Sequence, residues 1–325
     1  MRSEEGRDIR LYRESLVKNL VVVTGLSRSG KTMLAPIISS LERAENVQFN
    51  YVMEQIMPLA DLGLMPKDTA RYLMRYAMNF MMYDTYIGRN VNFRPTDYSS
   101  IWNTRDHALY FRRLFSEDGN AVMRQIDDDN HLFVLMFHNA LWHADVIFEA
   151  FPTVKMLNVT RHPVDVVYSW FIRKYGALDG YNHTRVGVTT IDHNSAAFPY
   201  YVVGEEDEYA GRSEVDRIIY MVQKISEMHV NKYDALPREQ KKQVMMIRFE
   251  QMVEKTRDML SSICRFLNTT ESLYTPIALH HERCPRIVDK TERAAKYEKL
   301  KGLASVEANV VLKSMIEKYE VELNL

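Results

Sequence analysis

Cysteine is nearly absent: the chain of 325 residues has two, Cys264 and Cys284. They show no paired spacing, so a disulfide-stapled scaffold is excluded and a reducing compartment fits. Long apolar runs are missing as well. The longest, around residues 20–23 and 132–137, have the length of buried strands and fall far short of the roughly 20 residues that a membrane helix needs. The first twenty residues, MRSEEGRDIRLYRESLVKNL, mix both signs of charge without an apolar centre. That argues against a secretory leader or anchor, and a cytoplasmic location is expected. No sign of charge dominates, since 42 Lys and Arg face 43 Asp and Glu for a net of −1. No global field draws the chain to nucleic acid or to an anionic membrane, so any anion site has to be local.

What is present is a globular composition, 46% hydrophobic and 26% charged, which excludes disorder and low complexity. The length suits one large α/β domain, expected over residues 1–325 with residues 1–19 as a lead-in. β-branched or apolar runs predict strands at 20–24, 46–51, 131–137, 154–159 and 243–249. Helical spacing predicts helices at 32–42, 67–86, 139–150, 163–175, 213–233, 250–266 and 306–319. Strands alternating with helices imply a parallel sheet covered on both faces. The Met74, Met78, Met81, Met82 stripe reads as core packing. Glycine is scarce at 12 residues, yet Gly176, Gly180, Gly187, Gly204 and Gly211 gather in one Tyr-rich stretch. Residues 176–212, with the irregular stretch 88–107, are therefore candidate lid or acceptor-binding loops.

The clearest motif is Gly25-Leu-Ser-Arg-Ser-Gly30-Lys31-Thr32, which matches G-x-x-x-x-G-K-[ST] between a predicted strand and a predicted helix. Loop N–H groups and the helix N-terminus then converge on an anion. The motif says phosphate without saying which nucleotide. A magnesium-dependent ATP or GTP enzyme needs an acid at the end of a second apolar strand to hold the metal. Here 131–137 runs into His138-Asn139, 154–159 runs into Thr160-Arg161, and only 243–249 meets an acid, Glu250. A basic residue at the strand end suggests a second anion in place of a metal. Pro163 and Asp165 suit a helix start directly after Arg161, and Ser169 lies about two turns along it. A guanidinium and a hydroxyl can thus reach one phosphate from two sides.

A P-loop-like segment followed by R-x-P-x-D-x-x-x-S (Arg161 to Ser169) resembles the 3′-phosphoadenosine 5′-phosphosulfate (PAPS)-dependent sulfotransferases. The segment Ile247-Arg-Phe-Glu-Gln-Met-Val-Glu254, with Phe266-Leu267 trailing, is similar to the family's late strand–helix segment. The resemblance implies a P-loop NTPase-like three-layer sandwich, a central parallel sheet with helices on both faces. It also implies PAPS as sulfuryl donor, adenosine 3′,5′-bisphosphate (PAP) as product, and no metal. Arg28, Ser29, Gly30, Lys31 and Thr32 then face the 5′-phosphosulfate, with Arg28 and Lys31 also catalytic, while Arg161 and Ser169 hold the 3′-phosphate. Two departures stand out: Lys31 replaces a Thr of the family's loop, and Met33 replaces an aromatic that often follows it. Lys299-Leu-Lys301-Gly302 is a loose echo of a C-terminal phosphate contact.

The resemblance leaves two candidates for the base that would deprotonate a hydroxyl or amine acceptor. One is His138, at the end of its strand, which titrates nearest neutral pH. The other is Glu54, 26 residues after Arg28. His280, His281 and Cys284 lack a fourth ligand at zinc spacing, and His143 and His162 read as supporting or surface groups. The acceptor is expected to be a small molecule, glycan, lipid or peptide. Two rival readings remain, a P-loop kinase using ATP, separable by magnesium dependence, and a nucleotide-sensing module that binds without turnover.

Overall fold

The computed structural model describes residues 11–104, 106–117, 119–178 and 189–321. Its strands are β1 (Leu20–Gly25), β2 (Phe133–Met136), β3 (Lys155–Thr160), β4 (Thr190–His193), β5 (Ala196–Pro199) and β6 (Val244–Arg248). Among the described residues these form a sheet in the order β2-β1-β3-β6 and a separate β4-β5 hairpin. All pairs in the larger sheet are parallel, with Thr24 beside Asn158 and Thr160 beside Arg248. Central β1 reads LVVVTG and is buried along its whole length, as a strand covered on both sides requires. Among the described residues no helix is long and apolar enough to cross a membrane.

Alternation along the strands assigns the faces. Leu20, Val22, Met156 and Val244 point to one side, where the helices Tyr51–Asp61, Lys67–Tyr86 and Ala144–Ala150 cover them. Val21, Val23, Leu157, Val159 and Ile247 point to the other, under Lys31–Ser39, Thr256–Leu267 and Thr275–His281. A third cluster packs Trp170, Val222 and Leu312 between the helices Pro163–Phe171, Glu214–Ala235 and Val306–Val321. Met74, Met78 and Met82 are buried and Met81 packs against them, as the stripe predicts.

The structure corrects several expectations. Residues 46–51 form no strand: Ala44 and Gln48 make isolated parallel bridges to Leu132 and Leu135, and a helix begins at Tyr51 with Asn50 as its cap. Polar contacts divert this segment, since Asn46 Nδ2 donates to Ser99 O at 2.6 Å and its N–H to Tyr110 Oη at 2.9 Å. The helix expected from 139 starts at Ala144. Before it, Asn139 is left-handed at φ 54° and the Ala140 N–H donates to Thr24 Oγ1 at 2.8 Å, which holds a turn. Residues 250–266 fall into two helices, Phe249–Glu254 and Thr256–Leu267. Of the loop expected at 176–212, residues 179–188 lie outside the described residues. The rest is ordered as the hairpin, a turn Tyr200–Val202 and a helix Glu206–Gly211, with Phe198, Tyr200 and Tyr201 buried. In 88–107, Ser100 and Thr104 are buried while Trp102 stays exposed.

Candidate active site

The glycine loop is shaped by two close approaches. Gly25, at φ 141°, sits so near β3 that a Cβ would lie 2.2 Å from Val159 O. Gly30, at φ 109°, faces the ring of Phe249, 2.4 Å from where a Cβ would be. Neither position tolerates a side chain, so the loop is pressed between β3 and Phe249. Arg28 is itself left-handed at φ 70°, an uncommon state for a non-glycine residue. The indole N–H of Trp170 donates to Ser27 O at 2.9 Å and ties the loop to the helix Pro163–Phe171.

Four guanidinium groups line the loop and its surroundings. Arg28 Nε donates to Ser169 Oγ at 3.1 Å, and Arg173 Nη1 donates to the same hydroxyl at 3.0 Å. Arg161 Nη1 donates to Arg28 O at 3.3 Å. Arg161 lies over one ring, that of Phe249, at 4.3 Å, and Arg286 lies over it at 5.3 Å. Burial lowers the pKa of Arg28, and Arg173 lowers it further. Burial also lowers Arg161, with Asp165 and Glu250 opposing and Arg293 and Arg28 adding to the fall. The nearest acids are already engaged. Asp165 accepts from Arg293 at 2.7 Å and Lys296 at 3.1 Å, and Glu250 accepts from Arg293, Tyr319 and the His162 N–H. Like charges held together in this way are stabilised by an anion placed between them.

Lys31 is turned inward: it is 1% exposed and its Nζ donates to Leu26 O at 3.0 Å. Burial pulls its pKa down to about 7, with Glu54 opposing and Arg28 reinforcing the shift. Ser29 Oγ and Arg161 Nε are buried without a hydrogen-bond partner among the described residues. Thr32 follows in the first turn of the helix Lys31–Ser39.

On the other side of Lys31, the two candidate bases meet. His138 Nδ1 lies 3.0 Å from Glu54 Oε1, and the His138 backbone N–H donates to the same oxygen at 2.6 Å. A carboxylate facing Nδ1 fixes the proton there and leaves Nε2 as the accepting nitrogen. Although 42% of the His138 side chain is exposed, the surrounding protein desolvates the ring and Lys31 repels its cation. Both lower its pKa, and Glu54 only partly offsets them. Next to this pair, His143 bridges Asp61 Oδ2 at 2.5 Å and Tyr200 Oη at 3.0 Å, while its ring stacks on Trp142 at 5.4 Å. His143 and His162 are both buried, so neither is a surface group. Cys284 Sγ faces Met33 Sδ at 3.7 Å.

Sequence reasoning placed Arg28, Ser29, Gly30, Lys31, Thr32, Arg161 and Ser169 in one neighbourhood, and the structure brings them together. It missed Arg173 and Arg286. Arg173 stands four residues after Ser169, one turn along the helix expected over 163–175 and just past its observed end at Phe171, a readable signal. Arg286 comes from a distant loop and has no local signature.

A family model for the sulfotransferase domain matches residues 18–323. The chain belongs to the sulfotransferase family. Among solved structures, the sulfotransferase domain of the Synechococcus PCC 7002 olefin synthase is similar at 12% identity, covering 97% of this chain and 98% of that one, with a TM-score of 0.44. The sulfotransferase STF9 of Mycobacterium avium is similar at 12% identity over 93% of this chain and 76% of that one, TM-score 0.44. The sulfotransferase domain from the curacin biosynthetic pathway shares 16% identity over 79% and 76%, TM-score 0.36. No curated protein sequence matches the chain.

Proposed function

We propose that the protein transfers a sulfuryl group from PAPS to a hydroxyl or amine acceptor. The observation that carries the reading is the pairing of the pinned loop with Arg28, Arg161 and Arg173 around Ser169. The residues fit the donor: Ser29 Oγ and Arg161 Nε are buried donors with no partner among the described residues, and the nearby acids Asp165 and Glu250 are already engaged. Arg161, Ser169 and Arg173 would hold the 3′-phosphate. Loop N–H groups, Arg28 and Lys31 would hold the 5′-phosphosulfate, which supplies the group to be transferred.

For the acceptor, His138 Nε2 takes the proton as general base. Glu54 is a positioning residue that sets the tautomer and stabilises the imidazolium as it forms. A lowered pKa keeps His138 neutral near pH 7, so activity declines in acid as the ring protonates. Lys31, close to both Glu54 and the loop, carries the positive charge that offsets negative charge gathering on the leaving phosphate. The acceptor is a small molecule, glycan, lipid or peptide entering beside Glu54 and Tyr200. The kinase alternative is disfavoured, because the one strand-end acid, Glu250, is already bound by Arg293, Tyr319 and the His162 N–H.

Thermal denaturation tests the donor. PAP at about a hundred times its dissociation constant should add about 2.7 kcal/mol, raising the midpoint by several degrees whether or not magnesium is present. Stabilisation by ATP only with magnesium would overturn the reading. Single-turnover rates test the base. His138→Ala should slow transfer by about 10²–10⁴-fold with PAP binding intact, and Glu54→Gln by less. A His138→Ala enzyme that turns over normally would remove His138 from that role.

A further inference from the structure

Behind the loop, on the sheet face that carries Met156 and Val244, lies a cavity of about 840 Å³. Its walls come from β3, β6 and the helices Glu214–Ala235 and Val306–Val321, and it touches the back of the loop at Ser29 and Arg161. The lining is mainly apolar, with Val166, Val222, Met246 and Met315 contributing. Phe249 lies on the opposite face of the sheet, so this space is separate from the ring that Arg161 and Arg286 cover.

Polar side chains interrupt the apolar lining, the buried Asn158 and His229 among them. Asn158 is 0% exposed and its Oδ1 has no hydrogen-bond partner among the described residues; His229 is 3% exposed and its Nε2 likewise has none. Each such atom costs roughly 1–3 kcal/mol when left unpaired, and native proteins keep few of them. Here two, besides those of Ser29 and Arg161 at the loop, line one cavity, from β3 and from the helix Glu214–Ala235. Asn158 Nδ2 makes only a weak contact, to Met246 Sδ at 3.7 Å. Burial, with His143 and Lys31 adding to it, pulls the His229 pKa down to about 3, so the ring is neutral. Charge enters the lining at Arg161, beside the loop, and at Glu227, Glu317 and Lys318, with Lys318 Nζ and Glu227 Oε1 3.9 Å apart.

We propose that this cavity is a second ligand site for a neutral, mainly apolar molecule. Its ligand gives a hydrogen bond to Asn158 Oδ1 and pairs with His229 Nε2, as a carboxamide on an aromatic or aliphatic body can. A volume of about 840 Å³ suits a ligand of ordinary small-molecule size. The neutral pair Asn158 and His229 offers no charge to a second phosphate, and an unpartnered acceptor selects against a pure hydrocarbon.

The test uses naphthalene-2-carboxamide, a flat amide without a hydroxyl or amine to sulfate, against 2-ethylnaphthalene. Binding is followed by calorimetry with and without saturating PAP. The amide should bind about tenfold or more tighter than the hydrocarbon, and PAP should not displace it. Asn158→Leu should erase that advantage and raise the unfolding midpoint of the ligand-free protein by a few degrees, because an unpaired buried acceptor is gone. Val222→Trp should block both probes. If that variant fails to fold, Asn158→Leu carries the test alone. The proposal is overturned if the amide fails to bind, if its advantage survives Asn158→Leu, if PAP displaces it, or if Asn158→Leu lowers the midpoint, as a water-satisfied structural asparagine would. PAP binding is read separately, so a failure of the donor assignment leaves this result legible.

Discussion

Arg113 and Lys31 are two buried cations that the fold treats in opposite ways. Arg113 is 2% exposed and sends Nη1 and Nη2 to the two oxygens of Glu45 at 2.8 and 2.7 Å, with its guanidinium 4.2 Å from the Tyr86 ring. Tyr110 and His131 complete the shell around the same carboxylate. Burial works against charge on Arg113, but Glu45 outweighs it and the pKa rises. Lys31 is as deeply buried yet has a single carbonyl for its amine, and burial wins. A cation answered by a carboxylate is architecture, fixing the segment after the helix Lys31–Ser39 against the helix His107–Arg113. A cation answered only by a carbonyl is held ready for an anion from outside.

The largest test of that contrast is Glu45→Ala. It strands Arg113 and should cost about 3–5 kcal/mol of stability in denaturant titration. Lys31→Met should act with the opposite sign, raising the midpoint of the ligand-free protein while weakening PAP binding. A destabilised Lys31→Met would break the comparison. Next in size is Arg161→Ala: the preference for PAP over adenosine 5′-monophosphate should shrink by about 1.5–3 kcal/mol, the worth of a charge-assisted contact. Unchanged preference in calorimetry would remove the 3′-phosphate from Arg161.

A further effect is one of pH. With a folded pKa of about 7 against an ordinary 10.5, Lys31 gives the unfolded chain the extra proton between those values. Its contribution therefore destabilises the fold most below about pH 7 and fades as pH rises toward 10. PAP, which favours the charged amine, should bind progressively less tightly over the same range, by no more than about tenfold per pH unit. Lys31→Met should flatten both trends.

Much of this was legible in the chain. The β-branched run at 20–24 and the motif from Gly25 to Thr32 located the central strand and loop, because buried parallel strands and phosphate loops both leave contiguous signatures. Arg161 and Ser169 were readable because one helix start carries both. Residues 46–51 misled because their apolar pattern resembles a strand, while tertiary bonds from Asn46 to Ser99 and Tyr110 decide the backbone. Glu54 and His138 looked like rivals since 84 residues separate them, and only the fold makes them one pair. Arg286 and the cavity at Asn158 and His229 arise from packing between distant segments, which no local pattern encodes.

Two of the three tryptophans can serve as optical reporters at different points of the proposed reaction. Trp170 bonds to the glycine loop through its indole nitrogen, so its emission should change when the loop takes up a nucleotide. Trp142 stacks on His143, which is bonded to Tyr200, on the side proposed for the acceptor. Its emission should follow acceptor entry, and quenching by a protonated imidazole would make it pH-sensitive. Replacing each in turn with Phe would separate the two signals, allowing the order in which donor and acceptor bind to be read from an unlabelled enzyme in a stopped-flow trace.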